Sequence, residues 1–216
     1  MTQSSLPRSD LHLDRLAVFE SLIRSRRSVR NLLPDPVPAE IIRGAIEAAG
    51  WAPSPHGRQP WRFSVVESLA VKSRLAEAMA ATWQAQLHLD GQAEQVVQIR
   101  LNKSQQRIVN APVIVVACLY LSDLDDYPDT DRQEAERIMA IQSLGAAVQN
   151  LLLHIEASGY QSGWMCAPLF APDVVRSALG LSSELFPHAM IPVGKVATEP
   201  VRRPRLPTEE LIASWS

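Results

Sequence analysis

Pro112-Val113-Ile114-Val115-Val116-Ala117-Cys118-Leu119-Tyr120 runs nine residues without a charge and is β-branched at its centre. A strand on a half-solvated sheet alternates apolar with polar residues. An unbroken apolar run of this length belongs in the middle of a sheet covered on both faces. Shorter strands are predicted at 61–66, 160–165 and 188–196. Material to cover the sheet lies on either side in sequence. Asp14 can cap a helix in which Leu16, Phe19, Leu22 and Ile23 recur at helical spacing. Pro38 opens a second, with Ile41, Ile42, Ala45, Ile46 and Ala49 on one stripe and Gly50 as its stop. Further helices are predicted over 68–89, 92–109 and 132–158, and a short one opens at Pro172 and ends at Gly180. The longest carries Ala140, Leu144, Ala147, Leu151 and Ile155 on one side. Its Gly145 and Ala146 permit close approach of a partner, either within the core or across a subunit interface. Helices on both sides of a compact β layer make this a mixed α and β chain. Residues 1–13 read as a loose tail and 14–216 as one domain.

The 216 residues are 46% apolar, enough for one sizeable core. Lysine and arginine number 21 against 23 acidic residues, a formal charge of −2. That balance gives no general attraction to nucleic acid or to an anionic membrane. Seven acids crowd the fourteen residues from Asp123 to Glu136 and predict a solvated loop and helix start, with no metal site. Two cysteines specify neither a disulfide framework nor a metal cluster: Cys118 reads as core, and Cys166, beside Trp164 and Met165, as a pocket wall. No apolar signal region follows Met1 and no span approaches eighteen apolar residues, so a cytoplasmic protein is expected.

The arginines bunch at the two ends of the chain. Arg26-Arg27-Ser28-Val29-Arg30 sets three guanidinium groups and a hydroxyl into five residues, and Gly194-Lys195 with Arg202-Arg203-Pro204-Arg205 supplies a second basic group. Each cluster is either a solvated surface or part of an anion site. Positions two apart diverge on a straight helix, but at a helix end they can form a cradle, which Arg205 or Lys195 would close. Several like charges held together need an anion to neutralise them, and a cofactor phosphate would do so. Between the clusters, Trp51-Ala52-Pro53-Ser54-Pro55-His56-Gly57-Arg58-Gln59-Pro60-Trp61 is a proline-stiffened loop in which His56 can stack on or donate to a ligand. The five histidines form no metal pair and no nucleophile has a base beside it. Chemistry would then be carried by a cofactor. The βαβ glycine fingerprint and the phosphate-loop motif are both absent.

These segments, in this order, resemble the FMN-dependent nitroreductase family: Arg26 to Arg30, Ala52-Pro53-Ser54 through Gln59-Pro60-Trp61-Arg62-Phe63, Pro192-Val193-Gly194, and Arg203-Pro204-Arg205. The resemblance covers about residues 20–212. It implies an α+β fold of three α/β/α layers on a mostly antiparallel sheet, and an intertwined homodimer with FMN at the subunit interface. It further implies that Arg26, Ser28 and Arg30 hold the FMN phosphate, joined by Arg205 and Lys195, with Arg27 also at the cofactor. Pro53, Ser54, His56, Gly57, Gln59, Met165, Cys166, Ala167 and Gly194 would complete the cofactor site, with a backbone N–H of the 165–167 segment near the reactive ring nitrogen. No side chain is assigned as catalytic, and His56 is the candidate acceptor contact.

The implied reaction is ping-pong hydride transfer from NAD(P)H to a nitro compound, a quinone or another small planar acceptor. Ala52 to His56, Asp126-Tyr127-Pro128-Asp129, and Ser162-Gly163-Trp164 with Phe170 to Arg176 are also similar to the reductase domain of the bifunctional ligase that completes the deazaflavin coenzyme. That likeness implies a narrower alternative, reduction of a dehydro precursor of that coenzyme. Gly57 stands where the family usually has an asparagine on the flavin's pyrimidine edge. The competing class is a cofactor-free interaction module whose arginines bind an acidic partner.

Overall fold

The apolar run forms strand β2 (Val113–Tyr120), one of two central strands in a four-stranded antiparallel sheet of order β1-β2-β4-β3. The computed structural model describes residues 8–198, 200–201 and 203–216. Strand β1 (Trp61–Val66) pairs with β2 along its whole length, β4 (Leu185–Gly194) pairs with β2 on the other side, and β3 (Gln161–Ser162) forms the far edge. The helices are α1 (Arg8–Ser25), α2 (Ala39–Gly50), α3 (Leu69–Leu89), α4 (Glu94–Val109), α5 (Thr130–Ala157), α6 (Pro172–Leu179) and α7 (Thr208–Leu211).

Side-chain alternation along β2 divides the core into two layers. Val113, Val115, Ala117 and Leu119 pack with α2 and α5, joined by Ala189, Ile191 and Val193 of β4. Ile114, Val116 and Cys118 pack on the opposite face with Leu75 of α3, Ile108 of α4 and Val175 of α6. Both faces of β2 are therefore dry, as its composition demands. On the first face, Gly44 lets α2 sit against α5: a Cβ there would lie 2.7 Å from Nε2 of His154. On the second, the buried Lys72 donates to the carbonyl of Ala111 at 2.5 Å, tying α3 to the approach of β2. Asp129 caps α5 by accepting from the Arg132 amide at 2.9 Å, one use of the acidic run.

Several expectations are corrected. Helix α1 begins at Arg8, six residues before Asp14, so only residues 1–7 of the expected tail lie outside the described residues. Its apolar stripe is not core: Leu16, Phe19 and Ile23 are 53%, 53% and 44% exposed, and the main packing of α1 among the described residues is on α5. The strand expected over 160–165 shrinks to two residues plus a single bridge from Met165 to Met190. Helix α5 has an eighteen-residue window apolar enough on average to cross a membrane, but it is broken by Gln, Ser, Asn and His and nine side chains of the helix are buried within the fold. A Cβ added at Gly145 of α5 would meet the Trp164 indole at ordinary contact distance, 3.9 Å.

Candidate functional site

Helix α1 ends at Ser25, and Arg27 seals its C-terminus by donating to the carbonyls of Arg24 at 2.5 Å and Arg26 at 2.8 Å. The next residues run extended along the sheet edge. Ser28 bridges Ser162 in parallel, and the Val29 amide donates to the Ser162 carbonyl at 2.9 Å. Two further bonds hold the junction, Gly163 N–H to the Pro192 carbonyl at 3.2 Å and Leu33 N–H to the Lys195 carbonyl at 2.7 Å. Gly163 is indispensable to this approach, since a Cβ on it would lie 2.2 Å from the Val29 carbonyl oxygen. The basic segment is thus pinned to a defined edge.

Arg26 is half-buried on this edge. Burial holds its guanidinium below the ordinary arginine value, and the nearby Arg205 pushes the same way, with Glu156 opposing. The two basic clusters from opposite ends of the sequence therefore do meet. An arginine stays charged under such pressure, so the pair is a cationic seat that an anion would relax. Lys195 lies nearby in sequence, but its ammonium sits over the Tyr160 ring, 5.4 Å from the centroid. Arg202 lies outside the described residues.

Four residues on from Arg26, Arg30 lines a cleft of about 700 Å3, walled also by Arg107, Trp83, Trp164, Cys166 and Phe170 among others. Met165 anchors its floor through paired backbone bonds with Met190, at 3.0 and 2.8 Å. The next two amides, of Cys166 and Ala167, donate to no backbone or side-chain oxygen among the described residues. The Trp164 indole N–H is buried without a partner. Two free amides, an orphaned indole donor and an aromatic wall beside a cationic seat suit a flat, phosphate-bearing heterocycle. Arg107 and Trp83, on α4 and α3, were not picked out by sequence reasoning, because their convergence depends on how those helices fold over the cleft.

The remaining expected residues lie elsewhere. Pro53, Ser54, His56, Gly57 and Gln59 form a loop ahead of β1, at the opposite edge of the sheet and the opposite end of its strands. Seven residues of β4 and three strand spacings separate the two places, roughly 23 Å along and 14 Å across. The loop is rigid: the Ser54 hydroxyl accepts from the Gln59 amide at 3.0 Å, and His56 and Gln59 hold φ of 54° and 52°. Arg58 is tied to the acidic run, donating to the Asp123 carbonyl and to Asp125 Oδ1 at 2.5 Å. Gly194 packs against Pro112 and Leu32 rather than against the cleft. No cluster of metal-ligating side chains occurs among the described residues.

This arrangement suits a flat, anionic ligand, and comparison with known proteins gives the family. The nitroreductase family profile matches residues 23–195. A Thermus thermophilus NADH dehydrogenase is 33% identical over 212 residues, covering 87% of this chain and 91% of its own. A BluB-like flavoprotein from Clostridium difficile superposes with a TM-score of 0.76 at 25% identity, covering 92% of this chain and 99% of that one. The FMN-dependent nitroreductase NfnB from Mycobacterium smegmatis, solved with NADPH, shares the fold with a TM-score of 0.73 at 24% identity, over 93% and 99% of the two chains. The chain belongs to the nitroreductase family and is an oxidoreductase of that class.

Proposed function

We propose that this protein is an FMN-dependent oxidoreductase that takes hydride from NAD(P)H and delivers it to a nitro compound, quinone or other electron-poor planar acceptor, working as a homodimer. The observation that carries the reading is half-buried Arg26 with Arg205 nearby, four residues before the Arg30 that lines a cleft with free amide donors. Bound FMN would supply a ring that accepts hydride from one visitor to the cleft and returns it to the next. The chain's own contribution is positioning and charge. Arg26 and Arg205 hold the phosphate, with Ser28 on the same edge. The Cys166 and Ala167 amides offer hydrogen bonds to the ring, and Arg30 sets positive charge beside it. Trp164, Trp83 and Phe170 limit water and favour flat molecules. No acid–base side chain is required of the protein.

Two features support the homodimer. The loop carrying His56 is too far from the Arg26 seat for one mononucleotide to touch both, so it meets the cleft only from a second copy. The apolar stripe of α1, Ile138 and Ile141 of α5, and Leu206, Leu211 and Trp215 of the C-terminal segment are all exposed in one chain. Uncovered apolar surface on that scale needs a partner, and a second copy of this chain is the occupant that also completes the site.

Purified protein is expected to be yellow, to release FMN on denaturation, and to sediment as a dimer of the 23.9 kDa chain. A colourless protein with no saturable FMN titration would sink the proposal. So would a monomer that retains FMN, as far as the two-copy site is concerned. The cleft also makes a labelling prediction. Iodoacetamide should modify the exposed Cys166 and spare Cys118, whose thiol burial pushes up to about 12. FMN should protect Cys166, and equal labelling with and without FMN would remove it from the cofactor's surroundings. The narrower substrate, a dehydro precursor of the deazaflavin coenzyme, rests on the likeness of residues 52–56, 126–129 and 162–176. Its turnover beside that of a nitroaromatic and a quinone separates the two acceptor classes.

A further inference from the structure

Helix α4 carries Lys103 and Arg107 one turn apart, and both line a second cavity, of about 480 Å3, that Arg30 also lines. The amide side chains of Asn31, Gln106 and Asn110 belong to its walls, and no carboxylate does. Among the described residues none of the three cations forms an ion pair. Three cations and three amides around one concavity, without a counter-charge, match the needs of a phosphate group. Arg26 and Arg205 do not line this cavity, and Arg30 is the one member of the expected FMN phosphate set that does, so Lys103 and Arg107 are left without an assigned anion. Arg30 and Arg107 also line the larger cleft, so the two spaces adjoin at those side chains.

We infer that this cavity receives the phosphate-bearing end of the nicotinamide donor and makes the enzyme prefer NADPH to NADH. The inference rests on the flavoprotein reading above. For hydride transfer the nicotinamide must lie in the cleft beside Cys166 and Ala167, and the rest of the dinucleotide has to leave it. On the other side of Arg30 and Arg107 is the cavity that Lys103 lines. NADPH differs from NADH by one phosphate monoester, a group with about 1.5 to 2 negative charges at neutral pH. A cavity with three unpaired cations discriminates on that difference.

The test is steady-state kinetics of the FMN-loaded dimer with each donor at a fixed quinone concentration, for wild type, Lys103→Ala and Lys103→Glu. Lys103 is exposed, so both variants should fold. Wild-type kcat/KM should favour NADPH by about tenfold or more, and Lys103→Glu should remove most of that preference through KM rather than kcat. Rising ionic strength should erode the NADPH rate more than the NADH rate. Equal kcat/KM for the two donors in wild type, or an equal loss for both in the variants, overturns the inference. So does a donor ratio that stays fixed while discrimination between nitrobenzoate and nitrobenzamide changes, since the cavity would then serve the acceptor. Flavin content, read from absorbance in the same samples, reports separately on the flavoprotein reading.

Discussion

Gly163→Ala is expected to destabilise the protein by about 3 kcal/mol, the upper part of the range for forcing atoms into a packed site. For a chain of this size that corresponds to a fall in Tm of roughly 6–12 °C. The added Cβ would sit 2.2 Å from the Val29 carbonyl oxygen and 3.2 Å from its carbonyl carbon. Both are backbone atoms, so no rotamer change relieves the clash. The Val29 amide is bonded to Ser162 at 2.9 Å and the Gly163 amide to Pro192 at 3.2 Å, so neither backbone is free to retreat. Reaching ordinary contact requires a displacement of about 1 Å, which breaks the junction holding Ser28 and Arg30 beside the cleft. FMN retention should therefore fall with stability. Gly145→Ala is the control: its Cβ meets only the Trp164 ring, at 3.9 Å, and the site is helical. There alanine should be neutral or slightly stabilising. A Gly163→Ala protein with the wild-type Tm and a full complement of flavin would remove this contact from the account.

The contrast between Gly163 and β2 shows what the chain discloses in one dimension. The central strand is legible because its pattern is local: eight successive residues report that both faces are covered. Helix limits at Pro38, Pro172 and Gly180 are legible for the same reason, since a missing N–H or a φ of 64° acts on the nearest turn. Gly163 is not, because its requirement comes from Val29, far away in the chain, and Ser162-Gly163-Trp164 reads simply as strand. Periodicity in α1 identifies an apolar face without saying what covers it, and among the described residues that face stays exposed.

The site divides in the same way. Arg26 and Arg205 were recognisable as types suited to phosphate, and the fold does bring them together. Arg27 looks identical in sequence but spends its guanidinium on the end of α1. Arg58, equally basic, is held by Asp125. Lys103 and Arg107 carried one readable signal, a cationic pair at i and i+4, which is indistinguishable from a solvated helix face until Arg30 is seen opposite.

Arg26→Met is expected to move two properties in opposite directions. Arg26 is half-buried with Arg205 nearby, and its depressed proton affinity means that the charged form is held at a cost without an anion. Methionine keeps the apolar stem and removes the charge, so the FMN-free protein should hold its Tm or gain slightly. FMN affinity should fall by about 2 kcal/mol, the order of a charged hydrogen bond, or roughly thirtyfold in Kd. No pH dependence near neutrality should accompany the stability change. The folded guanidinium lies below its unfolded value, so any linkage appears only when pH rises into the range where arginine loses its proton. Arg26→Lys should recover part of the affinity, because it restores charge but not the paired donors. The divergence separates an anion seat from a structural arginine. If Arg26 merely supported the end of α1, the substitution would lower Tm and leave FMN Kd near the wild-type value, and isothermal titration alongside thermal melts of the same samples distinguishes the two.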